Sequence, residues 1–148
     1  MADLTLVWNP ATGTADLAMC GPSLKTGNDL ETAIIVSLWS DQTSDPGDIL
    51  PVNTNSDPRG WWGDAYNAPD QIGSKLWQIF NRIRNQQTLN DARDFATKAL
   101  QWLIDDGLAV SVSVSPRFYG SAGIALSITI TSLSGVVNQY SYAWGGIN

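Results

Sequence analysis

In the C-terminal part of the chain apolar residues occupy every second position, and this period of two restricts the segment to β-strands. Valine alternates with serine over residues 110–115, and large aliphatic residues alternate with small or polar ones over residues 124–131. A third strand follows a tight turn at residues 132–135. The sequence therefore predicts a three-stranded antiparallel meander, with residues 116–123 as the loop between its first two strands.

The remaining sequence contains a second hairpin signal and three helical periods. Two alternating runs separated by a turn at residues 9–13 predict a β-hairpin in the first 20 residues. Apolar residues spaced three and four apart predict helices over residues 29–39, 73–84 and 89–106. Asn28 or Asp29 would cap the first helix, although this short segment would also fit a buried strand. Thr88 would cap the third helix, and Gly107 would end it. We therefore expect one domain, residues 1–148, with an α+β fold. It would be a mostly antiparallel sheet, formed by the N-terminal hairpin and the C-terminal meander, packed against two or three helices.

Residues 40–72 separate the first two predicted helices and contain four of the seven prolines, too many helix and strand breakers for regular structure. Structureless loops of this length in compact domains are usually functional or disordered. Trp61 and Trp62 argue against disorder, because disordered segments seldom carry aromatic residues. We expect this long loop to pack against another part of the protein or against a partner.

The composition excludes several classes of function. The chain has no histidine and only Cys20 as a thiol, which excludes Ser-His-Asp triads, imidazole or thiolate zinc sites and an internal disulfide. Eight basic residues against fourteen acidic ones give a net charge of −6, which argues against binding to nucleic acid. Ten of the acidic residues lie in residues 1–70, where they face only two basic residues, so the two halves of the chain differ in charge. The sequence shows no signal peptide and no apolar run long enough to span a membrane, so we expect folding in the cytosol where the chain is made.

Other patterns that carry chemistry elsewhere are interpreted here as structural. Asp105 and Asp106 point in different directions on a helix and do not converge on a substrate. Five aspartates of the long loop lack the spacing of a calcium loop: Asp41, Asp45, Asp48, Asp57 and Asp64. A Ser-Lys dyad is not indicated, and the glycines of 120–123 are typical of a turn. No cofactor and no catalytic or metal site is predicted.

Two groups of aromatic residues are the candidate partner contacts. In the run from Arg59 to Asp64, Trp61 and Trp62 are flanked by glycines, and they either fasten the loop to its own core or anchor an interface. The row Tyr140, Tyr142 and Trp144 is interpreted first as core packing and second as a platform for a sugar or a partner. The candidate contact residues are Arg59, Trp61, Trp62, Asp64, Tyr140, Tyr142 and Trp144.

Five segments together resemble the Mu-like phage tail baseplate protein family. They are Asp3–Trp8, Asp29–Asp41, the Arg-Gly-Trp-Trp-Gly-Asp run at 59–64, Gly73–Trp77 and Ala99–Gly107. This family is similar to the small baseplate wedge and sheath-initiator proteins of contractile tails and type VI secretion systems. Wedge proteins often carry Glu-Pro-Arg after the long helix, where this chain has Asp105-Asp106-Gly107, so the contacts of that motif are not transferred.

The resemblance implies a structural protein of the virion tail baseplate, present in several copies and not an enzyme. Its implied partners are other wedge proteins, the tail sheath and the tube or hub proteins, and its implied task is to start the sheath. The strands at 110–115 and 124–131 are nearly free of charge, so an exposed sheet edge would suit pairing with a sheath strand. Deletion of residues 136–148 is expected to prevent sheath nucleation. The alternative functions are a small glycan hydrolase and a sugar-binding module of the tail.

Overall fold

The N-terminal hairpin is present in the computed structural model, which describes residues 4–27, 29–51, 56–66, 68–80 and 82–145. Strand β1 (Leu6–Asn9) pairs antiparallel with β2 (Thr14–Leu17), as the alternation predicts. A second short antiparallel pair follows, formed by β3 (Met19–Cys20) and β4 (Ser23–Leu24). Trp8 on β1 donates a hydrogen bond of 3.0 Å from its indole Nε1 to the carbonyl of Ala143, so the hairpin is attached to the C-terminal strand.

Helix α1 (Asp29–Trp39) has the predicted bounds, and the alternative of a buried strand is wrong. Its apolar residues Ile34, Ile35 and Leu38 are at most 2% exposed. The hydroxyl of Ser37 donates to the carbonyl of Ala33 one turn earlier, which satisfies this polar group inside the core. The predicted cap at Asn28 lies outside the described residues.

The predicted helix over residues 73–84 is wrong. Among the described residues of this segment the only helix is a 3₁₀ helix, Leu76–Ile79, and Phe80 is already extended. Backbone bonds to the end of α1 replace helical ones, because the amide of Ser74 donates to the carbonyl of Ser40 and the amide of Gln42 donates to the carbonyl of Ser74. Gly73 has a positive φ of 95° and its Cα lies against the carbonyl of Ser40, which only glycine tolerates easily. The broad apolar pattern reflects burial on several sides and not one face of a helix.

The predicted helix over residues 89–106 exists, but its ends and its continuity differ. Helix α2 (Gln86–Ala99) starts three residues earlier, because Asn85 caps it by accepting a hydrogen bond of 2.9 Å from the amide of Thr88. The helix is interrupted at Leu100, where backbone bonds shorten to the three-residue spacing of a 3₁₀ turn. The one-turn helix α3 (Trp102–Asp105) follows. Apolar spacing survives such an interruption, so periodicity alone did not detect it.

The C-terminal meander is confirmed. Strands β5 (Ala109–Tyr119), β6 (Gly123–Ser132) and β7 (Val137–Trp144) form one antiparallel sheet in the order β5-β6-β7. The predicted loop at 116–123 is wrong in extent, because β5 continues through Pro116 to Tyr119 and only residues 120–122 connect the strands. A proline fits here because β5 is an edge strand and the missing N–H would point away from β6.

One buried cluster joins the sheet to the helices and the hairpin. Helices α2 and α3 pack against β5, and the apolar face of β6 contributes Ile124, Leu126, Ile128 and Ile130. At the other side Trp39 of α1 stacks on Trp8 with ring centroids 4.2 Å apart and meets Trp144 edge-on at 4.8 Å. The architecture is therefore α+β with antiparallel pairing in all the described strands, as predicted, but the hairpin and the meander form separate sheets and not one sheet. Among the described residues no helix has the length and hydropathy that crossing a membrane requires.

Candidate partner-binding surface

The first part of the motif at 59–64 is bound to the protein's own fold. Arg59 Nη1 lies 2.6 Å from Asp41 Oδ2, and the guanidinium carbon sits 4.7 Å from the ring centroid of Trp77. Gly60 has a φ of +105° and lies directly against Thr43, so a side chain there would both strain the backbone and collide. Arg59 and Gly60 therefore fix where the loop runs.

A buried lysine fixes the other end of the loop. Lys75 Nζ donates to Asp45 Oδ2 at 2.6 Å and to Asp48 Oδ2 at 2.7 Å, and Gln78 donates to the same Asp48 oxygen at 2.9 Å. The hydrogen bond from Lys75 lowers the pKa of Asp48 to about 2. Burial lowers the pKa of Lys75, but hydrogen bonds to the two carboxylates outweigh it and raise the pKa above its usual value. Lys75 is 7% exposed and residues 73–79 around it are buried, so this cation lies inside the fold and not on an exposed helix face.

The aspartates considered for calcium are thus engaged in other ways. Asp41, Asp45 and Asp48 face arginine or lysine, and Asp57 Oδ1 accepts from the amide of Arg59. Within the described part of the chain, no group of three acidic or thiol side chains is placed to hold a metal ion.

The second half of the motif leaves aromatic rings at the surface. A 3₁₀ helix, Trp62–Tyr66, carries Trp62 at 77% exposure and Tyr66 at 82%, with their ring centroids 6.2 Å apart. Trp61 is 43% exposed and its ring covers Gly63, which leaves no room for a side chain at that position. One indole of the pair is therefore partly packed and the other projects into solvent.

Trp61 also borders a groove of about 620 Å³ that no local sequence pattern indicated. The groove lies between α1, residues 61–73 and the junction of α2 with α3, and Val36, Ile72 and Trp102 supply its apolar lining. Trp102 is fixed by a hydrogen bond of 3.0 Å from its Nε1 to the hydroxyl of Ser37. These residues are far apart in the sequence, so only the tertiary structure brings them together.

Asp64, the last residue of the motif, lines this groove. Its Oδ1 accepts from the amide of Ile72 at 3.1 Å and closes the loop. Its Oδ2 is buried and receives no hydrogen bond from the described residues. Asp70 and Asp106 line the same groove and are exposed.

The second candidate group, on β7, lies mostly in the core. Tyr142 is 2% exposed and Trp144 is 6% exposed, while Tyr140 is half-buried at the edge of the same cluster. Burial, with a smaller contribution from Glu31, raises the pKa of the Tyr142 hydroxyl. The positions of Tyr142 and Trp144 match the core-packing interpretation, and contact of this row with a partner stays a prediction.

The two edges of the meander differ. Along β7 the backbone N–H and C=O groups of successive residues point alternately toward β6 and away from it. The carbonyl of Ala143 accepts from Trp8 and points away from β6. The backbone groups of Val137, Gln139 and Ser141, which lie two, four and six residues earlier, therefore also point away from β6. Among the described residues no backbone hydrogen bond from another segment reaches these three positions. On the opposite edge, the outward positions of β5 include Pro116, which has no N–H to offer.

Comparison with known proteins identifies the family. The profile of the family described as "Phage protein GP46" matches residues 30–137. The chain is 37% identical over 142 residues to "Mu-like prophage FluMu protein gp46" of Haemophilus influenzae, which covers 96% of both chains. It is 33% identical over 149 residues to "Baseplate protein gp46" of Escherichia phage Mu, which covers 99% of this chain and 100% of the relative. The resemblance drawn from the five segments is confirmed, and the chain belongs to the GP46 family of phage proteins.

Proposed function

We propose that the protein is a structural component of a contractile phage tail baseplate, of the wedge type, and not an enzyme. Its support is the relative of phage Mu, which is named a baseplate protein and aligns with 99% of this chain. In this proposal the single domain of residues 1–148 sits in the virion in several copies, after synthesis and assembly in the host cytoplasm. Its neighbours are other wedge proteins, the tube or hub proteins and the sheath.

In this proposal the first strand of the tail sheath pairs with the free edge of β7. The single observation that carries this step is the outward backbone of Val137, Gln139 and Ser141, which can pair with an added strand through main-chain hydrogen bonds. The segment carries none of the charged gatekeeper residues that usually protect an edge. The β5 edge is less suitable, since Pro116 interrupts its donors.

Deletion of residues 136–148 does not test this edge by itself, because it also removes the buried Tyr142 and Trp144 and damages the core. Gln139→Pro is sharper, since it removes one outward N–H while leaving the bonds between β6 and β7 in place. Gln139→Ala is the matched control, because it removes the same side chain and keeps the N–H. We expect Gln139→Pro to lower the yield of sheathed tails about tenfold and Gln139→Ala to leave it nearly unchanged. Equal, normal sheath assembly by both variants would refute the proposed edge.

The aromatic loop is the proposed contact with neighbouring wedge proteins. Arg59 and Gly60 hold the loop in place, so Trp62 and Tyr66 are presented on a fixed support. Exposed tryptophan and tyrosine held this way lose little side-chain entropy on binding, and both residue types are enriched at interface hot spots.

A further inference from the structure

We infer that the groove beside Trp61 receives a polypeptide segment of another tail protein that carries an apolar side chain next to lysine or arginine. The inference rests on the proposed baseplate role and adds the chemistry of one partner. It concerns a surface separate from the β7 edge, which is the proposed sheath contact.

The lining of the groove selects the apolar part of this partner. Val36, Ile72 and Trp102 supply apolar surface, and the half-exposed ring of Trp61 forms part of the wall. Two of these side chains are held in place, Trp102 by Ser37 and Trp61 by its packing on Gly63. A groove that keeps its shape without a ligand loses little entropy when an apolar side chain enters it.

The negative charge around the groove favours a basic residue in the partner segment. Asp64, Asp70 and Asp106 line the groove, and among the described residues no lysine or arginine does. Asp64 lies in the wall of the groove, where its Oδ1 accepts from the amide of Ile72, so the position of this carboxylate is fixed.

The groove is therefore unsuited to an acidic peptide, because its carboxylates would repel an acidic segment. A lysine or arginine beside an apolar side chain satisfies both features at once. The occupant is an extended or helical segment of a different protein, and a second copy of this chain is an outcome that the experiment separates.

The first experiment reverses the charge of the rim. Asp70 and Asp106 are both exposed, so Asp70→Lys/Asp106→Lys should fold normally, which thermal unfolding checks. Asp16→Lys/Asp94→Lys is the matched control, with the same change of net charge at exposed positions outside the groove. Tail particles are made with each variant as the only form of the protein. We expect the amount of protein incorporated per particle to fall about tenfold for the groove variant and to stay near the wild-type amount for the control. Equal incorporation of the two variants would overturn the inference.

The second experiment identifies what occupies the groove. The photocrosslinking residue p-benzoylphenylalanine replaces Trp61, and in a second protein it replaces Tyr119, which has a similar exposure of 42% but lies outside the groove. After irradiation of assembled tails, the expected adduct at position 61 is a peptide of another tail protein with lysine or arginine within a few residues of the link. An adduct with this same chain, with a segment lacking basic residues, or with no protein would overturn the inference. If the sheath were lost while incorporation and the adduct at position 61 stayed as expected, the groove inference would stand and the loss would point to the proposed pairing at the β7 edge.

Discussion

Two aromatic clusters of this protein have similar residues and opposite environments. Trp8, Trp39, Tyr142 and Trp144 pack against one another between the hairpin, α1 and β7, with Tyr142 and Trp144 almost fully buried. In the second cluster Trp61 and Tyr66 each neighbour Trp62, on or just before a 3₁₀ turn of the long loop, and all three rings are exposed.

The difference comes from what supports each cluster. Rings in the first cluster come from three separate segments, so they cover one another from different sides. Rings in the second cluster come from within six consecutive positions, 61–66, and can shield one another only partly. The loop itself is held by ion pairs of Arg59 and Lys75 and not by its exposed rings. Aromatic content alone therefore does not distinguish core from surface, and stability and assembly should depend on different tryptophans.

The largest effect is expected in the buried cluster. Trp144→Ala should lower the free energy of unfolding by about 3–5 kcal/mol, because it leaves a large cavity against Trp39 and Phe80. Urea denaturation at neutral pH measures this change. A loss below 1 kcal/mol would mean that Trp144 is not part of the core in solution, and the comparison between the clusters would fail.

A smaller effect is expected where the loop cluster touches its own backbone. Gly63→Ala should cost about 1–3 kcal/mol, because the added methyl group collides with the ring of Trp61. In the Trp61→Ala background the same change should cost much less, and denaturation of the four proteins of this double-mutant cycle measures the difference. Equal costs in both backgrounds would show that the ring does not rest on Gly63.

The ion pairs of the loop should make part of its stability depend on pH. The pKa of Asp48 is about 2 in the folded protein against an ordinary value of 3.8, so its contribution is complete above the ordinary value and is lost as pH falls through about 2. Asp48→Asn should therefore destabilise the protein by about 1–2 kcal/mol at pH 7 and by little at pH 2. Denaturation series at the two pH values check this, with Asp94→Asn as the control. A cost that is the same at both pH values would contradict the proposed coupling to Lys75.

Removal of the projecting ring of Trp62 is expected to have the smallest effect on stability and a large effect on assembly. Trp62→Ala should change the free energy of unfolding by no more than about 0.5 kcal/mol, because the side chain is 77% exposed. Incorporation into tail particles should nevertheless fall, whereas Leu133→Ala, which removes another exposed apolar side chain, should not reduce it. Normal incorporation of Trp62→Ala would leave Trp62 without a role as an interface anchor.

Much of the fold was predictable from local patterns. Helix α1 has its predicted bounds because its apolar spacing lies within one segment, and the three strands of the meander follow from strict alternation. The segment at 73–84 was mispredicted for the opposite reason. Its apolar residues face several neighbours at once, and the hydrogen bonds of Ser74 with Ser40 and Gln42 replace the helical ones.

The candidate site was predictable only in part. The motif at 59–64 stands out in the sequence because glycines flank two tryptophans, and the structure explains its glycines and its arginine. The groove was not predictable, since Val36, Ile72, Trp102 and Asp106 belong to different elements and no local signal relates them.

The positions of the N-terminal hairpin, the meander and the long loop, and the chemistries that are excluded, follow from the amino-acid sequence, because alternation, prolines and the absence of histidine are local or compositional properties. The burial of particular tryptophans, the burial of Lys75 and the grouping of carboxylates around one groove follow from the folded structure. Burial and electrostatic environment depend on contacts between distant segments, and those contacts exist only once the chain has folded.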